Sequence, residues 1–167
     1  MRSAAFLVRP GSRSIQWPYD ITQARRRKKE TEMDTRYIDA EHKLATALGW
    51  TGADYTGLAA VRDGRAQGVV PDGTRSSYVP AWARSGDDCV RLMLAHRCFV
   101  TAEVMSDGVE VMVARWKGAH GFPERIAVPT GEHSDEDAAF RYAAVLGVTS
   151  KVEEQSRARE LRSMVAA

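Results

Sequence analysis

The stretch FVTAEVMSDGVEVMVARW, residues 99–116, decides how this chain is read. Two runs of β-branched and apolar residues, 99–105 and 109–116, flank Ser106-Asp107-Gly108. Glycine accepts a positive φ and aspartate hydrogen-bonds the backbone two residues on, so the trio predicts a tight hairpin. Alternation is clearest in the second run, with Val109, Val111 and Val113 on one face and Glu110, Met112 and Ala114 on the other.

Working outward, residues 86–96 follow Ser85, a capping residue with Asp88 three positions on, and present Cys89, Val90, Leu92, Met93 and Leu94 as a broad apolar face, which predicts a helix. Beyond the hairpin, residues 124–128 predict a third strand stopped by Pro129. Ser134 then caps a helix whose first turn, Asp135, Glu136 and Asp137, carries the charge the helix dipole favours. Its buried side is Phe140, Ala143, Ala144 and Leu146, and Gly147 is expected to end it. A charged segment from Lys151 follows as a tail or a separate helix.

Toward the N-terminus, Met33, Tyr37, Leu44 and Leu48 fall on one helical face, predicting a helix over 34–48. Gly49 is its natural C′ residue, with Trp50 placed for the apolar contact of a Schellman motif. Glycines at 52, 57, 64, 68 and 73 and Pro71 predict a long surface excursion over 51–78, with at most a short hairpin around Asp63-Gly64. The expected fold is α/β in the α+β sense. An antiparallel sheet of three or more strands packs with helices in the order α-loop-α-β-β-β-α. Three parts are expected: a flexible basic leader over 1–32, a single domain over 33–150, and a charged tail or helix over 151–167.

Composition bounds the function. The 167 residues are 44% hydrophobic and 28% charged, a globular balance. No apolar run approaches the roughly 20 residues that cross a bilayer, so no membrane role is expected. Residues 1–32 hold 8 Lys/Arg against 3 Asp/Glu, and the rest of the chain 16 against 19, so the basic character resides in the leader. The run Arg25, Arg26, Arg27, Lys28 and Lys29 reads either as a solvated face or start-site extension ahead of Met33, or as an arm that neutralises phosphates, with Trp17 and Tyr19 nearby to stack on bases. Cys89 and Cys98 read as core residues of a reduced, cytoplasmic protein; with His96 they match no familiar zinc spacing.

Leu48-Gly49-Trp50, the stretch VPAWARSGDDCVRLM (residues 79–93), the valine-rich hairpin and HSDEDAAFRYAAVLG (residues 133–147) together resemble the phage ABA sandwich domain family, small proteins of phages and prophages. The resemblance covers residues 37–148. It implies α/β/α layering and a phage or prophage origin more than an activity, and a natural beginning near Met33.

No phosphate-binding GxxxxGK[ST], dinucleotide-binding GxGxxG or zinc-binding HExxH occurs, so no cofactor and no metal are expected. Triads of Cys98/His120/Asp107 or Ser134/His133/Asp137 can be drawn, but no nucleophile motif supports them. The α-β-β-β-α order is also that of double-stranded RNA-binding domains, which place lysines at the start of the last helix. Asp135, Glu136 and Asp137 would repel phosphate there. Tryptophan and tyrosine anchor interfaces and also fill cores. Of this set, Trp50, Tyr55, Tyr78 and Trp82 border the glycine-rich segment and are the candidate partner surface. The expectation is a non-enzymatic phage accessory protein that binds a host protein or a small signalling molecule, with inhibition of anti-phage defence as its expected role. The alternative is nucleic-acid binding through residues 21–29.

Overall fold

A computed structural model describes residues 35–55 and 65–166. The leader with Arg25, Arg26, Arg27, Lys28 and Lys29, and the Asp63-Gly64 turn, lie outside the described residues. Helix α1 covers 35–47. It ends as its sequence predicts: Gly49 takes φ +86°, its N–H reaches the Thr46 carbonyl at 3.0 Å, and the Trp50 N–H reaches Ala45 at 2.9 Å. These are the two bonds of a Schellman motif.

The described parts of 51–78 are more than a surface excursion. They supply strands β1 (Thr51–Asp54), β2 (Gln67–Val69) and β3 (Ser76–Tyr78), joined as a small antiparallel sheet in that order. Gly68 belongs in the middle strand because a Cβ there would lie 3.1 Å from that of Ala53. The glycines that read as loop formers therefore include one that lets two strands approach.

Helix α2 (Gly86–His96) is capped by Ser85, whose hydroxyl accepts the Asp88 N–H. Strands β4 (Phe99–Val104), β5 (Glu110–Lys117) and β6 (Pro123–Pro129) form the second antiparallel sheet, with β5 central. At the β4–β5 turn Gly108 takes φ +83°, and Asp107 Oδ1 accepts the Val109 N–H at 3.1 Å. A short 3-10 turn, Thr130–Glu132, leads to α3 (Glu136–Ala166).

The strand residues in or against the main core are Val100, Met112, Ala114, Trp116, Ile126 and Val128. Pairing places them all on one face. Helix α3 packs on that face against all three strands, α2 packs on α3, and Tyr37, Ala40, Leu44 and Ala45 of α1 join the same core. The opposite face of β5 keeps the expected alternation, yet its Val111 and Val113 are also buried. Arg115 on that face is ion-paired to Glu103.

Helix α3 departs from the sequence reading at both ends. Its cap is Asp135, whose Oδ1 accepts the Ala138 N–H at 2.7 Å, while the Ser134 hydroxyl donates to Asp135. It also runs through Gly147 for 31 residues in all. A Cβ on Gly147 would lie 2.7 Å from Ala114 Cβ and 3.0 Å from Cys98 Sγ. Glycine is there for contact with the sheet and not to stop the helix. At 100° per residue the buried positions 138, 139, 143–145 and 147–149 fall on every side of the helix. The first half of α3 is thus the central core element. From Arg157 onward it is mostly exposed.

Candidate anion-binding site

Continuity of α3 through Gly147 has a chemical consequence. Lys151, Gln155, Ala158, Arg159 and Arg162 follow at helical spacing and share one face. That face lines a cleft of about 420 Å³ with Arg97, Lys117, Gly118 and Ala119. Five cations from three elements converge there. Arg97 terminates α2, Lys117 ends β5, and the other three come from α3.

Each position is held by local chemistry. Arg97 is the left-handed C-cap of α2, at φ 48° and ψ 48°. This is a conformation that costs a non-glycine residue about 1 kcal/mol. The adjacent Cys98 N–H bonds the Met93 carbonyl at 3.0 Å and fixes the turn. The Lys151 ammonium donates to the His96 carbonyl at the end of α2, where the helix dipole favours a cation. It locks α2 to α3 and is largely buried.

The 118–122 turn is clamped against α3 because Glu154 Oε1 accepts the Ala119 N–H at 2.9 Å. Gly118 permits that approach, since a Cβ there would meet both Glu154 and Glu124 at 2.9 Å. Glu154 and Glu124 are the carboxylates placed at this edge. Arg97, Lys117, Arg159 and Arg162 form no ion pair among the described residues, in contrast to Arg36, Arg65, Arg84 and Arg115. Unpaired cations gathered along one cleft raise the local concentration of anions.

The aromatic residues expected at a partner surface are dispersed in role. Trp82 is a core residue at 5% exposure, and Trp50 and Tyr55 are half-buried against the core. Tyr55 stacks its ring 5.0 Å from that of His42. Its hydroxyl, buried without a hydrogen-bond partner, is pushed well above the usual phenol range by burial and by the charge of Glu41. Tyr78 is 58% exposed. Near Tyr55 lies a bolt that the sequence did not reveal. Buried Glu41 accepts from the Ala83 N–H at 2.9 Å and from Arg84 Nη2 at 2.8 Å. Burial outweighs these partners and raises the Glu41 pKa.

The triads drawn from the sequence are not assembled. Cys98 precedes β4 and Asp107 follows it, so a six-residue strand, roughly 20 Å, separates them. Burial pushes both Cys89 and Cys98 up to about 11, far from the thiolate a nucleophile needs. His133 Nδ1 is taken by the Tyr37 hydroxyl at 2.8 Å, and Ser134 bonds Asp135. Among the described residues no group of three His, Cys, Asp or Glu side chains is arranged to hold a metal ion, and no helix is long and apolar enough to cross a membrane. Neither a protein-family model, a curated protein nor a solved structure matches this chain.

The cleft escaped sequence reasoning because its cations are scattered between positions 97 and 162 and none stands in a basic run. The one signal was the spacing Lys151, Arg159, Arg162, which becomes a face only if the helix continues past Gly147.

Proposed function

We propose that this chain is a binding protein and not an enzyme, and that its cleft takes a phosphate-bearing anion. The observation that carries this is the convergence of Arg97, Lys117, Arg159 and Arg162 on one cleft without carboxylate partners among the described residues. Arginine forks match phosphate oxygens bidentately, and such charge-assisted bonds are about twice as strong as neutral ones. Nucleic acid, expected above as an alternative partner, is itself phosphate-bearing. Origin in a phage or prophage and a role against host defence rest on the resemblance of residues 37–148 alone.

Titration of the full chain with inorganic tripolyphosphate, followed by calorimetry over a salt series, tests the reading. Binding is expected to weaken with salt, and Arg159→Glu with Arg162→Glu is expected to weaken it by about 10- to 100-fold per lost contact. Unchanged affinity in the double variant, with an unchanged circular dichroism spectrum, refutes it.

A further inference from the structure

We infer that the anion taken by the cleft is single-stranded nucleic acid, with its phosphates held among Arg97, Lys117, Arg159 and Arg162 and its bases stacked on Phe99 and Phe122; this rests on the anion-binding reading above. The spread of the cations comes first. Lys151 is committed to the His96 carbonyl, and Arg97, Lys117, Arg159 and Arg162 reach the cleft from three separate elements. A lone phosphate group spans only a few ångströms, whereas a chain of successive phosphates offers an anion to each of the four.

Two exposed aromatic rings add an observation independent of charge. Phe99 is 65% exposed and Phe122 is 70% exposed. Strand pairing puts both at the same end of the β4–β6 sheet as the cleft: Phe99 lies opposite Arg115, and Lys117 lies opposite Pro123, the residue after Phe122. Phe99 is two residues beyond Arg97, and Phe122 closes the turn that supplies Gly118 and Ala119 to the cleft wall. The Gly118 N–H bonds the Phe122 carbonyl at 2.8 Å, which sets that turn. Arg125, exposed and opposite Arg115, extends the basic surface along the same end. Phe99, Arg115 and Arg125 share the sheet face away from the helices, so a strand leaving the cleft rounds the sheet's end to reach them.

Aromatic faces beside a cationic track are what unpaired bases need, because every base offers a π-face, and stacking is worth about 1–3 kcal/mol per base. A duplex keeps its bases stacked inside and cannot use them. An acidic protein segment would satisfy the cations but has no systematic use for two exposed phenyl rings.

The test uses the full chain carrying alanine at Arg25, Arg26, Arg27, Lys28 and Lys29, so that the leader contributes no charge run. Fluorescence anisotropy measures binding of a labelled oligothymidylate of about 12 nucleotides, its duplex with oligoadenylate, a polyglutamate peptide and, by competition, tripolyphosphate. The expected order puts the single strand tightest, with log K falling against log salt at a slope of about −3 for four phosphates. Phe122→Ala is expected to weaken the single strand by about 5- to 100-fold while tripolyphosphate binding stays unchanged. Arg159→Glu weakens both.

Equal binding of the duplex overturns the inference and leaves the anion site standing. So does single-strand binding that is indifferent to both Phe122→Ala and Phe99→Ala. Polyglutamate binding as tight as the oligonucleotide overturns it in favour of an acidic protein partner. Tripolyphosphate binding that ignores Arg159→Glu removes the anion site itself.

Discussion

Gly147→Ala sets two well-measured effects against each other. In an exposed helix interior, replacing glycine by alanine stabilises by about 1 kcal/mol. Here the new methyl would stand 2.7 Å from Ala114 Cβ and 3.0 Å from Cys98 Sγ, whereas ordinary contacts begin near 3.4 Å. Helix or strand must therefore shift by about 0.7 Å. Neither yields easily: Ala114 is fully buried in the central strand, which is paired on both sides. Overpacking of this kind costs typically 1–3 kcal/mol, so the helix gain is cancelled and the net expectation is a loss of up to about 2 kcal/mol. For a chain of this size that is a fall of up to roughly 8 °C in Tm, read by circular dichroism melting and urea unfolding. Ala114→Gly removes the obstructing methyl, so the double variant should recover stability with a coupling of about 1 kcal/mol or more. A higher Tm for Gly147→Ala, or additive behaviour of the pair, would falsify the close approach of α3 to β5. It would also remove the reason for placing residues 151–162 against Arg97 and Lys117.

Other perturbations probe the remaining contacts. Glu41→Ala strips the acceptor from Arg84 and Ala83 and is expected to cost about 3 kcal/mol in urea unfolding. Glu41→Gln, which keeps an oxygen for Ala83, should cost less; equal losses would argue against the bond to Ala83. Because burial raises the Glu41 pKa, its proton-linked stability is present at low pH and is lost as pH rises through the raised value. That dependence should vanish in Glu41→Gln, measured by unfolding midpoints from pH 4 to about 7. His133 and His96 are shifted the other way, each held down chiefly by burial. Their contribution is present above the usual histidine value near 6.5 and is lost as pH falls through the depressed values. This histidine contribution to the loss of Tm on acidification should shrink in His133→Gln, and an identical pH profile in the variant would contradict the buried neutral imidazole. Tyr37→Phe, which removes the hydroxyl that shares a 2.8 Å hydrogen bond with His133 Nδ1, should cost about 1 kcal/mol.

The parts of the fold legible in the sequence were those with local chemistry. The Asp107-Gly108 turn, the Ser85 cap and the Gly49 terminus each follow from one or two residues and appear where their chemistry places them. What stayed hidden depended on contacts distant in sequence. Strands β2 and β3 are three residues long, too short for a period-two pattern to emerge from glycine-rich sequence. Gly147 carries the same local signal as a helix stop. Only the proximity of Ala114, on the central strand of the sheet, explains why it is an interior residue. Two adjacent capping residues are ambiguous in the same way: Ser134 and Asp135 both suit the start of α3, and the geometry gives the cap to Asp135. Trp82 bears the residue type of an interface anchor, but its burial makes it core. The candidate site was the least legible of all, because misreading Gly147 detaches Arg159 and Arg162 from the helix that brings them to Arg97 and Lys117.

The most direct test of the central claim is to locate the bound anion. In a two-dimensional amide NMR titration of the full chain with tripolyphosphate, the largest saturable shifts are predicted at Arg97, Lys117, Gly118, Ala119, Arg159 and Arg162, the residues around the cleft. Shifts that never saturate, or that cluster elsewhere and leave these amides unmoved, would contradict the account.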